Sequence, residues 1–167
     1  MVVSSAMSQT FRKSHIAFAV GGTVVALSTL SYLASKTQSV FLLGSVGASA
    51  LLIFVLPEAP LSQPRSVVLG HLSASVIALA CLALFGSPWW GVGVATGLGI
   101  GFMMLTRTLH PPAGSNAMIV FLTKPAWGVF LLSTLASTVA LIAIAVVYHR
   151  TTRRHKYPVA WLKSGSS

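Results

Sequence analysis

Acidic residues are almost missing from this chain of 167 residues: Glu58 stands alone against eleven Lys plus Arg, and Asp does not occur. Without carboxylates, paired-acid catalysis, a Ser/His/Asp assembly and a carboxylate-lined cation site all lack their parts. The single cysteine, Cys81, excludes an intramolecular disulfide and a two-cysteine metal site. Charged residues make up only 7% of the chain, against about 25% in an average soluble domain. That is too few to cover a solvated surface. Disorder is excluded as well, because disordered chains are poor in apolar residues and rich in charge. No phosphate-binding glycine loop and no zinc-protease helix occurs, so no cofactor, no metal and no enzymatic activity is expected.

What is present is apolar: 54% of residues are hydrophobic and the mean hydropathy is +0.84. An all-α polytopic membrane protein follows. Charges and prolines divide the chain into apolar runs at 16–35, 37–56, 66–86, 88–106, 108–123 and 125–148. A spanning helix needs about 20 residues, and every run but the fifth is long enough. The fifth is broken by His110, Pro111 and Pro112; two prolines can open a helix but not sit inside one. Its helical part is expected from near Pro112 to just before Lys124. The first run, after Arg12 and Lys13, resembles the start of a signal peptide but lacks a convincing cleavage site, and reads as a retained span. The expected organisation is a tail over 1–14, a membrane domain over 15–149 and a basic tail over 150–167.

The second run carries a related interruption, Gly44 to Ser49, with a short helix expected from near Gly47. An offset of 67 residues lays Gly47-Ala48-Ser49 on Gly114-Ser115-Asn116, the first run on the fourth and the third on the sixth. Two units of three elements have odd parity, so the second would be inverted in the membrane, as in many transporters.

Basic residues fall unevenly. With six crossings, Arg12, Lys13, Arg65, Arg107, Arg150, Arg153, Arg154, Lys156 and Lys163 share one side, and Lys36 and Lys124 the other. The positive-inside rule then puts both termini in the cytoplasm, in a bacterial cell at the inner membrane. If the short fifth element is re-entrant, the crossings fall to five and the termini separate. These cations are expected to meet lipid headgroups rather than nucleic acid.

Polar residues gather at the two breaks. Helix starts there would offer backbone N–H groups at Gly47, Ala48, Gly114 and Ser115 to a small inorganic anion, flanked by Ser49, Asn116, His71 and His110. The competing reading is a proline-capped helix start with Ser115 and Asn116 serving neighbouring backbone. His71 and His110 either face the anion or make interhelical hydrogen bonds. Arg65 and Arg107 either attract anions at a pore mouth or snorkel to headgroups, and Glu58 is expected to partner Arg65. Gly93, Gly97 and Gly101 form one helix face suited to close packing, within the fold or in a homo-oligomer. Trp89, Trp90 and Trp127 read as interfacial anchors.

Two stretches, Ser62-Gln63-Pro64-Arg65-Ser66-Val67-Val68-Leu69-Gly70-His71 and Leu105-Thr106-Arg107-Thr108-Leu109-His110-Pro111-Pro112-Ala113-Gly114, occur in this order. In this the chain resembles the HPP family of integral membrane proteins, named for the tripeptide found here at 110–112. The resemblance runs from about Val40 to Tyr157, with Ser66 standing where members often have Asn. Plastid and cyanobacterial relatives are described as nitrite transporters. The resemblance therefore implies transport of a small anion such as nitrite, with Gln63, Pro64, Arg65, Arg107, Pro111 and Pro112 in structural or gating roles. The alternative is a membrane scaffold or assembly subunit.

Overall fold

Backbone polar groups in a bilayer must find their partners within the protein, and this chain meets the demand with helices. The computed structural model describes residues 11–37 and 43–159, and among these it holds six α-helices and no strand. They are α1 (Lys13–Thr37), α2 (Leu43–Val55), α3 (Pro64–Phe85), α4 (Gly91–Leu105), α5 (Ser115–Thr123) and α6 (Trp127–Thr152). Short 3-10 turns, Pro60–Ser62 and Pro111–Gly114, lead into α3 and α5. Proline opens α3 at Pro64 and both turns, where its missing N–H costs nothing.

Helix lengths correct the hydropathy count. Only α1, α3 and α6 are both long and apolar enough to cross a membrane. With 13 and 15 residues, α2 and α4 reach about 20 Å and 22 Å, short of a hydrocarbon core of about 30 Å. The residues flanking α4 are not helical, and hydropathy counts helix and flank alike; residues 38–42, before α2, lie outside the described residues. The break expected between Gly44 and Ser49 is not there. α2 runs unbroken from Leu43, so the N–H groups of Gly47 and Ala48 fall inside its hydrogen-bonded ladder.

Contacts between helix ends fix the direction of each element. His15 Nε2 lies 3.2 Å from the Val55 carbonyl, Tyr148 Oη donates to the Phe18 carbonyl at 3.0 Å, and Arg154 donates to the Ser14 carbonyl. Arg65 Nη2 donates to the Thr106 carbonyl at 3.1 Å. The starts of α1 and α3 and the ends of α2, α4 and α6 therefore share one end, called here the near end. Direction alternates along the chain, and residues 11 and 159 lie on the same side. The near end gathers Arg12, Lys13, Arg65, Arg107, Arg150, Arg153, Arg154 and Lys156; Lys36 and Lys124 sit opposite. Lys163 lies outside the described residues.

Burial exposes an inverted repeat. Val46, Ser49, Ala50, Ile53 and Phe54 in the first half correspond, at the offset of 67, to Ala113, Asn116, Ala117, Val120 and Phe121, and all are buried. Val67, His71, Ala74, Ser75 and Ala78 of α3 correspond likewise to Thr134, Thr138, Leu141, Ile142 and Ala145 of α6, again all buried. The buried stripe of α1, Gly22, Ala26, Leu30 and Ala34, matches Gly91, Ala95, Gly99 and Met103 of α4 at an offset of 69, two more than expected. The connections absorb the difference. Helix packing obeys the same exchange: α1 packs on α2 as α4 on α5, α3 on α4 as α6 on α1, and α3 on α5 as α6 on α2, while α2 meets α5 and α3 meets α6. Three alternating elements per unit make the second unit antiparallel to the first.

Candidate polar centre between the repeats

Lipid gives a polar side chain no partner, so such groups turn inward and find one another. Ser49 on α2, His71 and Ser75 on α3, His110 at the break and Asn116 on α5 all do so, each 0 or 1% exposed. Ser49 and Asn116 are repeat equivalents. Ser49 Oγ lies 2.9 Å from His71 Nε2 and 2.8 Å from His110 Nε2, and the two imidazole rings are 5.1 Å apart. His110 Nδ1 is 2.7 Å from the Leu61 carbonyl. A carbonyl only accepts, so neutral His110 carries its proton on Nδ1 and accepts at Nε2. Ser49 then donates to His110 and accepts from His71 Nε2–H. Its one O–H is shared with the Ser45 carbonyl, which lies 3.0 Å from Oγ.

Asn116 Nδ2 donates to Ser75 Oγ at 2.8 Å and toward the His71 carbonyl at 3.4 Å, while Ser75 Oγ donates to the His71 carbonyl at 2.7 Å. Asn116 Oδ1 is buried with no hydrogen-bond partner, a costly state that marks a place for a donor.

The backbone donors expected to form the site are otherwise engaged. Gly47 is half-buried and Ala48 exposed, away from the centre. Gly114 belongs to the 3-10 turn, and the Ser115 N–H turns back to Ala113 and Pro112 while its hydroxyl donates to the Pro112 carbonyl at 2.8 Å. Side chains, not helix-start amides, make the centre. Among the described residues no group of three or more His, Cys, Asp or Glu is placed to hold a metal.

The remaining predicted residues, expected in structural or gating roles, sit at the junctions between elements. Gln63 Nε2 donates to the Pro57 and Ala59 carbonyls at 2.9 and 3.0 Å, and its Oε1 accepts from the Val159 N–H at 2.9 Å. Pro64 opens α3. Arg65 ties that start to the end of α4 through Thr106, so Glu58 has a different neighbour from the one expected: His155, at 4.0 Å. A flexible surface carboxylate meets whichever basic side chain the fold brings nearest. Arg107 is exposed with φ 54°, the residue that turns the chain out of α4. Pro111 and Pro112 form the 3-10 turn that delivers His110. At Gly70, a Cβ would lie 2.9 Å from His110 Cβ and 3.1 Å from the Thr108 carbonyl, so glycine is what lets the two motifs meet.

Three participants were not legible beforehand. Ser75 sits one turn after His71 within an apolar run, and that spacing was the available signal. His149 stacks on Phe54 with Nε2 3.3 Å from the Ile53 carbonyl. Tyr157 donates to the Ser62 carbonyl at 3.0 Å, and burial pushes its phenol pKa above the usual value. At the near end, His149, Arg150, Arg153, Arg154, His155 and Lys156 line an open cleft of about 500 Å³.

The sequence matches the family described as HPP, transmembrane region, over residues 8–158. The chain belongs to the HPP family of integral membrane proteins. Two transmembrane proteins of Dictyostelium discoideum are similar to it: one is 33% identical over 147 residues, covering 83% of this chain and 47% of the relative. The other is 34% identical over 136 residues, covering 77% and 48% respectively. This HPP chain thus spans about half the length of the curated relatives it matches. No solved structure matches it.

Proposed function

We propose that this HPP protein moves a small inorganic anion across its membrane between the two inverted repeats, with nitrite the first candidate. The observation that carries the reading is the buried polar centre where Ser49 and Asn116, equivalents in the two repeats, meet His71 and His110. Buried polar groups in a membrane are expensive and mark transport paths, and inverted repeats hold such sites where they cross. Every side chain of the centre is buried. Passage then requires the repeats to exchange conformations, opening one side and closing the other. The near-end cations, Arg107 and the cleft at Arg150–Lys156 among them, raise the local anion concentration. By the positive-inside rule this end faces the cytoplasm, and its cations also meet anionic lipid.

Purified protein in liposomes tests the proposal. Nitrite entry above the leak of protein-free liposomes is expected, and Asn116→Leu should remove most of it while the protein remains folded. If the folded wild-type protein moves neither nitrite nor nitrate under any gradient, the proposal fails. A second reading then takes its place, because Gly93, Gly97 and Gly101 point away from the helices of this chain with open space beside them. That face suits a scaffold or homo-oligomer contact, visible as a change in particle mass when Gly97 is replaced by Leu.

A further inference from the structure

We propose that His71, Ser49 and His110 form a proton relay that takes up one proton with each anion entering between the repeats. The inference rests on the proposed anion passage and adds its coupling ion. Its first support is geometric. The three side chains form a continuous chain of hydrogen bonds, 2.9 Å and then 2.8 Å, ending at the 2.7 Å contact with the Leu61 carbonyl. That last contact fixes the direction: His71 Nε2–H points to Ser49 Oγ, and Ser49 O–H points to His110 Nε2.

A proton arriving at His71 forms an Nδ1–H bond; Asn116, whose Oδ1 has no hydrogen-bond partner, lies beside His71. The His71 Nε2–H bond then breaks as Ser49 gains that proton. The original Ser49 O–H bond breaks in turn, and its proton passes to His110 Nε2. One proton has entered, His71 and Ser49 are neutral again, and His110 is an imidazolium with both nitrogens protonated. No other reactant is needed.

The second support is charge. Among the described residues no carboxylate faces this imidazolium. α2, α4 and α5 contain no acidic, basic or otherwise titratable side chain. On α3 the nearest cation, Arg65, is turned to the Thr106 carbonyl. On α6, Thr134 and Thr138 are buried with their hydroxyls bonded to their own helix, and His149 lies against Phe54. α1 contributes Lys13 and His15 at the near end and the exposed Tyr32 and Lys36 toward the far end. Glu58 is exposed and lies beside His155. A buried cation without a partner is strongly disfavoured, so the proton is held well only when an anion arrives with it. Linkage is reciprocal: the anion binds well only when the proton does. A monovalent anion and one proton cross together without net charge.

Titration calorimetry on the full-length protein in detergent, with sodium nitrite near pH 7 in two buffers of different ionisation heat, tests this. Uptake of about one proton per nitrite is expected, with the apparent Kd rising about tenfold per pH unit once the pair is deprotonated. His110→Gln should bind nitrite with a Kd that no longer follows pH. Ser49→Ala, which interrupts the chain without touching either ring, should slow proton-driven nitrite uptake in liposomes. Binding heats that are identical in the two buffers would overturn the relay and leave anion passage standing. A folded wild-type protein that binds neither nitrite nor nitrate would overturn both.

Discussion

Ser75 shows how much rests on single hydroxyl groups in this bundle. It accepts from Asn116 Nδ2 and donates to the His71 carbonyl. Ser75→Ala leaves the Asn116 amide with only the 3.4 Å contact to that carbonyl. A buried group deprived of its partner costs about 1–3 kcal/mol, so a drop in melting temperature in detergent is expected. Under the proposed anion passage, nitrite uptake should fall as well, because Asn116 is then free to turn. Gly70→Ala makes a different prediction. Its Cβ would press on His110 Cβ and the Thr108 carbonyl, displacing His110 from Ser49 rather than deleting a bond. Activity should be lost more than stability, measured by comparing flux with the melting temperature. His71, His110, Ser49 and Asn116 were legible as polar residues in an apolar chain. Their mutual distances were not, because they come from four separate elements.

Among the helices, the two glycine-bearing faces of α4 behave differently. A Cβ at Gly91 would lie 2.5 Å from Phe121 Cε1, whereas Gly93, Gly97 and Gly101 have nothing within 4 Å. Gly91→Ala is expected to destabilise the protein by about 1–3 kcal/mol, the usual range for overpacking. Gly93→Ala should leave the monomer's melting temperature unchanged. The same logic in the other repeat puts Gly22 against Phe54, whose Cδ1 would be 2.4 Å from an added Cβ. Aromatic residues thus seat on glycines at the far end of α5 and the near end of α2, as inversion requires. The four-residue glycine spacing was visible in sequence. Which of two adjacent stripes faces inward depends on the rotation of α4, and that is set by packing on α3 and α5.

For the whole molecule, inversion predicts an accessibility pattern. In a Cys81→Ala background, single cysteines replacing Arg12 and Lys156 should react with an impermeant thiol reagent from one side of the membrane, and those replacing Ser87 and Lys124 from the other. Labelling of Arg12 and Lys156 positions from opposite sides would contradict the alternating helix directions.

Membrane residence, the all-helical class, the proline-opened fifth element and the offset of 67 were determined by the sequence itself. Each depends on properties local to a segment: apolar length, missing N–H groups and the spacing of small and polar residues. What only the tertiary structure decided is which of those residues meet. α2 proved continuous because a helix in lipid cannot leave amides unpaired, whatever its glycines permit. Gly47, Ala48, Gly114 and Ser115 accordingly spend their N–H groups on their own turns, and the polar centre passed to side chains. The Leu61 carbonyl set the tautomer of His110, and Arg65 found Thr106 instead of Glu58. These are contacts between residues distant in the chain, and local patterns carry no record of them until the helices pack.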